Sequence, residues 1–158
     1  MDYMVSPYEK IINLLKTNNI LYKETEHEPV YTSEQAAKIR GILINQGAKS
    51  LLLKCGNDFV LVVLPGDRRL DSKKLKNILK IKNFRFALPE EVQDKMGCDI
   101  GACYPFGNLI DLPTYVDSSL SRNDIISFNP GLHTNSIEIK WQDFYSVVKP
   151  KMVDISER

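Results

Sequence analysis

Residues Phe59-Val60-Leu61-Val62-Val63-Leu64 form an apolar run without a single polar interruption. A strand with one wet face alternates, so this run predicts a central strand covered on both sides. A second apolar run, 50–54, precedes it across Cys55-Gly56-Asn57-Asp58, which predicts a β-hairpin. Elsewhere the period changes. Ile11, Ile12, Leu14 and Leu15 recur at helical spacing after Ser6-Pro7-Tyr8-Glu9, which reads as a cap, a first-turn proline and a capping box. Asn18-Asn19 closes that helix, and Ile20-Leu21-Tyr22 reads as a short strand.

Thr32-Ser33-Glu34-Gln35 is a second capping box and opens a short helix ending at Gly41. Pro65-Gly66-Asp67 turns the chain, and Asp71 caps a helix that points Leu75, Ile78 and Leu79 inward. Arg85-Phe86-Ala87 reads as a strand, and Pro89-Glu90-Glu91 starts a helix that Gly97 ends. Segments 114–116, 124–128 and 136–140 read as strands, 141–148 as a final helix stopped by Pro150, and 151–158 as a polar, frayed tail. Hairpins interleaved with short helices predict a mixed α/β (α+β) domain rather than a purely parallel sheet. One domain spans 1–158, with no repeat, linker or low-complexity stretch.

Composition narrows the function. The 21 Lys+Arg against 20 Asp+Glu leave a weak overall field, so a strongly basic nucleic-acid binder, including one that grips DNA, is not expected. Cys55, Cys98 and Cys103 are odd in number and form no C-x-x-C pair, which argues against a disulfide framework or a zinc site. No metal or cofactor motif is present. No apolar run approaches the length of a membrane span, and Met1-Asp2-Tyr3-Met4 lacks the basic and apolar regions of a leader, so a cytoplasmic protein is expected.

Two segments carry candidate chemistry. Lys49 enters an apolar strand in Gly47-Ala48-Lys49-Ser50-Leu51, and a lysine there is costly unless its ammonium finds a partner. It either reaches into a cleft or snorkels to water. The loop from Gly97 to Gly107 contains Gly101-Ala102-Cys103-Tyr104-Pro105, a glycine and a proline bracketing three residues. Such a loop is either a plain connection or a rigid set of N–H donors for an oxyanion. Cys103 offers a thiol without an obvious base, and a buried, inert thiol is the simpler reading. His27 and His133 are the only histidines, and neither has metal-ligand neighbours. Lys73, Lys76 and Lys80, with Arg68 and Arg69 just ahead, form a basic face that either contacts phosphates or is solvated.

These segments, with Glu26-His27-Glu28-Pro29-Val30-Tyr31-Thr32, Pro65-Gly66-Asp67-Arg68-Arg69-Leu70-Asp71 and Phe128-Asn129-Pro130-Gly131, resemble the YbaK family in order and nearly end to end. The family is also known as the prolyl-tRNA synthetase-associated, or insertion-type, editing domains. The resemblance implies a partly closed mixed sheet flanked by short helices. It also implies hydrolysis of amino acids wrongly esterified to tRNA, here by a free-standing protein acting in trans. The partners it implies are a mischarged tRNA, tRNA(Pro) foremost, and an aminoacyl-tRNA synthetase. It carries the family's lysine onto Lys49 and its loop onto Gly101, Ala102, Cys103 and Pro105. Ser50, Asn129, Gly131 and His133 become substrate-side residues, with Asn129 standing where the alanine-specific branch has a histidine. Water would be activated by the substrate's own ribose hydroxyl. Alanine, cysteine, serine and threonine are the candidate cargoes, because a synthetase pocket rejects smaller side chains poorly. The alternative is a non-catalytic module of the same fold that binds tRNA ends, nucleotides or a protein.

Overall fold

The structure is a computed structural model that describes residues 5–157. The start Met1-Asp2-Tyr3-Met4, read above as lacking a leader, lies outside the described residues. Helix α1 (Pro7–Thr17) begins where Ser6 Oγ accepts the Glu9 N–H at 3.1 Å and buries Ile11 and Leu15. The predicted strand at Ile20 does not form. The Ile20 N–H instead donates to Leu15 O at 2.9 Å and finishes the helix end, leaving Leu21 83% exposed. Strand β1 (Lys23–Glu26) starts just after, a polar edge strand paired with 135–138 and tied also by Asn135 Nδ2 and the Tyr8 hydroxyl, which donate to the Glu24 carboxylate. Helix α2 (Ser33–Arg40) is capped by Thr32 and stopped by Gly41 at φ +70°.

Strands β2 (Ala48–Cys55) and β3 (Asp58–Pro65) form the predicted hairpin, paired from Ala48↔Pro65 to Cys55↔Asp58. Helix α3 (Ser72–Leu79) follows its Asp71 cap and buries Leu75, but Ile78 is 39% exposed: the helix leans on the sheet through one edge only. Strand β4 (Arg85–Phe86), helix α4 (Pro89–Met96), strands β5 (Thr114–Asp117), β6 (Ile125–Phe128) and β7 (Asn135–Lys140), and helix α5 (Trp141–Val148) complete the predicted set.

The tail departs from expectation. Lys151–Val153 is a strand, β8, lying parallel to β5, and Ile155 and Ser156 are buried. Asp117 holds them: its carboxylate accepts the Ile155 N–H at 2.9 Å and the Ser156 hydroxyl at 3.0 Å, and the Ser119 hydroxyl as well. Polar composition hid a segment whose anchor is one buried carboxylate.

The strands make two open sheets, β1-β7-β6 and β4-β2-β3-β5-β8, joined by a bridge between Gly47 and Ser127. The larger core lies against Leu61 and Val63 of β3, together with α1, α4 and α5. A smaller one, under α3 and the tail, takes Val60, Val62 and Leu64 from the other face. Hence the unbroken apolar run: β3 is buried on both sides. Among the described residues, no helix is long and apolar enough to cross a membrane.

Candidate active site

Strand β4 and Ala87 just after it cover β2 only from Leu52 to Lys54, so the first half of β2 keeps an open edge. Where that edge meets α2 and the loop after α4, a cavity of about 290 Å³ opens. This is near the lower end for small-molecule sites. From the predicted set, Lys49, Ser50, Gly101, Cys103 and Asn129 share its lining.

Alternation puts Lys49 and Ser50 on opposite faces of β2, and the open edge lets both reach the cavity. Lys49 is half-buried and forms no hydrogen bond or close ion pair among the described residues. Burial pushes its pKa below the ordinary lysine value; Glu34 and Asp67 pull it back up, and Arg69 lowers it further. Ser50 is 9% exposed, and its hydroxyl has no partner within the protein. A buried hydroxyl without a partner costs roughly 1–3 kcal/mol, so the cavity is suited to a ligand that hydrogen-bonds there.

The loop is rigid for reasons visible in its sequence. Gly97 ends α4 at φ +66°, and the buried Tyr104 hydroxyl donates to Met96 O at 2.8 Å. Pro105 is buried beneath. Gly101 sits at φ +92°, where an added Cβ would lie 3.4 Å from His133 Cε1. The Cys103 thiol pKa is lowered, first by the Cys98 thiol donating to it across 4.0 Å, and also by the N–H groups of Gly101 and Cys103, against burial. The same hydrogen bond is the main cause that pushes the Cys98 pKa up. Gly101 and Cys103 both line the cavity.

Ala102 does not join them. Its N–H donates to Asp99 O at 3.0 Å, and the residue is buried away from the lining, so the donors left are Gly101 and Cys103. Pro105, Gly131 and His133 are also outside the lining. Gly131 packs toward Pro7 and Tyr104. His133 braces the loop from behind, with Nδ1 3.1 Å from Val30 O, Nε2 3.7 Å from Asp99 Oδ2 and its ring 4.6 Å from Tyr31. Arg68, Arg69, Lys73, Lys76 and Lys80 do not line the cavity. Arg68 reaches Ser156 Oγ at 3.3 Å, whereas the charge of Arg69 is felt at Lys49.

Arg40, at the end of α2, is the lining residue that sequence reasoning missed. Its Nε donates to Ser136 Oγ at 2.6 Å and its Nη2 to Asn129 Oδ1 at 3.0 Å. Ser136 Oγ also lies 2.7 Å from His27 Nε2, and His27 Nδ1 lies 2.7 Å from Glu28 O. The Glu28 carbonyl can only accept, so His27 Nδ1 donates to it, and the Ser136 hydroxyl bridges Nε2 and Arg40. An arginine in a last helical turn ordinarily complements the helix dipole. Its partners here are 96 and 89 residues away, and no local signal announces them.

The signature of the aminoacyl-tRNA editing domain matches residues 27–146, a span that includes every cavity residue named above. The multifunctional Ser/Thr-tRNA deacylase ProXp-y of Escherichia coli (strain K12) is 31% identical over 152 residues, covering 93% of this chain and 91% of that protein. The prolyl-tRNA editing protein ProX of Acetoanaerobium sticklandii is 28% identical over 147 residues, covering 89% and 90%. A crystal structure of a candidate trans-editing enzyme for prolyl-tRNA synthetase shares the fold, with a TM-score of 0.85, 24% identity, and coverage of 96% and 98%. The chain belongs to the aminoacyl-tRNA editing domain family.

Proposed function

We propose that this protein is an aminoacyl-tRNA deacylase acting in trans, one editing domain that hydrolyses the ester of a small amino acid mischarged on tRNA. One observation carries the reading: an unbonded lysine and a glycine loop border one small cavity, Lys49 on one side and Gly101 and Cys103 on the other. Serine and threonine are the favoured cargoes, because the Ser50 hydroxyl lacks a partner inside that cavity and can bond a side-chain hydroxyl. Alanine and cysteine fit by size. The relatives named for Ser/Thr-tRNA and prolyl-tRNA editing support this range, with tRNA(Pro) among the carriers.

In the reaction, water attacks the ester carbonyl carbon and the C–O bond to the terminal ribose breaks. The amino acid leaves with a free carboxylate and the ribose recovers its hydroxyl. Lys49 and the Gly101 and Cys103 N–H groups stabilise charge on the carbonyl oxygen; a single such donor is worth ~10²–10³ in rate. The neighbouring ribose hydroxyl orients the water. Arg69, near the cavity, and the basic face of α3 meet the acceptor end of the tRNA. The reaction occurs where charged tRNA is found, in the cytoplasm, and a synthetase is a natural partner.

Purified protein is incubated with tRNAs charged with alanine, cysteine, serine or threonine, and released amino acid is followed. The expected result is release of serine or threonine, with Lys49→Ala slower by at least about 10². Saturable tRNA binding without release in any sample refutes the proposal and favours a binding module.

A further inference from the structure

The cavity contains a second cation that the lysine-and-loop description leaves unused. Arg40 lines it with both Nε and Nη2 held, yet both acceptors are uncharged: a serine hydroxyl and an asparagine carbonyl. No carboxylate among the described residues comes within ion-pair distance of the guanidinium. Glu138 raises its pKa only from a distance, and that carboxylate lies 3.9 Å from Lys23 Nζ. Three N–H donors remain, two on Nη1 and one on Nη2, and the Cβ that Gly47 lacks would lie 3.6 Å from Nη1. A part-buried charge left unpaired in this way is costly, and proteins normally pair such charges. Burial pushes the Arg40 pKa down to about 10, so the group remains protonated at neutral pH. The charge is retained, fixed in place and turned toward an opening.

We propose that Arg40 is a substrate-binding cation whose free guanidinium edge grips the phosphodiester immediately 5′ of the terminal adenosine. This rests on the deacylase reading above. An aminoacylated tRNA end carries one permanent negative charge near the ester, that phosphate, while the carbonyl oxygen becomes negative only during reaction. A planar fork anchored by two hydrogen bonds suits phosphate oxygens and a permanent charge. Lys49, flexible and unbonded, suits the transient one. Arg40 thereby sets the register of the chain end: with the phosphate fixed at the end of α2, the ester falls between Lys49 and the Gly101 loop.

The test measures binding of cytidylyl-adenosine, the last dinucleotide of tRNA, against its uncharged methylphosphonate analogue, with inorganic phosphate as a competitor. Wild type should bind the charged dinucleotide roughly 10–100-fold tighter, the range of a charge-assisted hydrogen bond. In Arg40→Ala the two affinities should converge, and in Arg40→Lys the difference should shrink, because the fork is lost while the charge remains. Lys49→Met should keep the difference. Equal wild-type affinities, or a tenfold preference surviving in Arg40→Ala, overturn the assignment, as does inorganic phosphate competing as well as the dinucleotide. Melting curves check that the variants fold. If Arg40→Ala does not, the Arg40→Lys result decides. Wild type that deacylates mischarged tRNA but binds both dinucleotides alike loses this inference alone. Wild type that deacylates nothing loses the reading beneath it.

Discussion

Replacing Gly101 with alanine separates the catalytic loop from a merely structural one. Gly101 sits at φ +92°, and the new Cβ would lie 3.4 Å from His133 Cε1. The ring has little room to retreat, because Nδ1 lies 3.1 Å from Val30 O and the ring packs on Tyr31. The loop must either hold a positive φ at a cost of roughly 1–3 kcal/mol or swing to negative φ and carry the Gly101 and Cys103 N–H groups with it. For a domain of this size, that cost lowers the melting temperature by roughly 2–12 °C. Stability of about 5–15 kcal/mol leaves nearly every molecule folded at room temperature, so a change in rate reports on the site and not on unfolding. Single-turnover deacylation should slow about 10²-fold. Gly56→Ala is the control. That glycine has φ +65° and no atom within 4 Å of an added Cβ, in the hairpin turn away from the cavity lining. It should lose comparable stability and no activity. If Gly101→Ala melts lower but turns over at the wild-type rate, the loop donors play no part in the chemistry and the oxyanion argument fails.

Lys49→Met should abolish deacylation without loss of thermal stability at neutral pH, since it removes a desolvated ammonium that has no bonded partner. The folded-state pKa is depressed, so the burden acts at low and neutral pH and lifts as pH rises toward the unfolded value of 10.5. The stability gap between variant and wild type should close over that rise, and a gap that stays constant with pH refutes the desolvation argument. Cys103→Ser should retain deacylation, because the donors are main-chain groups. An inactive but folded Cys103→Ser would instead indicate thiolate chemistry. Asp117→Asn should cost roughly 2–3 kcal/mol, read by denaturant unfolding. Burial raises the Asp117 pKa, but hydrogen bonds from Ser119, the Ile155 N–H and Ser156 outweigh it and leave it below 3.8. Its contribution is therefore present above pH 3.8 and lost as acid takes the pH through the lower folded value. Hydrogen exchange at 153–156 should quicken first, and a tail that stays protected in Asp117→Asn refutes the anchoring role.

Local rules carried the sequence reading a long way. The Ser6, Thr32 and Asp71 caps, the Gly41 and Gly97 stops and the β2–β3 hairpin each depend on residues a few positions apart, and the structure places them as expected. The unbroken run in β3 already implied two covered faces. Lys49 and the glycine loop were legible because a charge in an apolar strand and a bracketed glycine are locally odd. Tertiary structure alone decided the rest. Arg40 became part of the cavity through Asn129 and Ser136, which chain folding brings to it and no spacing encodes. The tail became a strand because Asp117 lies where Ile155 and Ser156 can satisfy it. Ala102 left the donor set because its N–H was taken by a neighbour within the same turn, a matter of dihedral angles and not of residue type. Periodicity and capping are short-range energies and can be read along the chain. The pairing of buried polar groups is a long-range constraint, settled only when distant segments share one dry space.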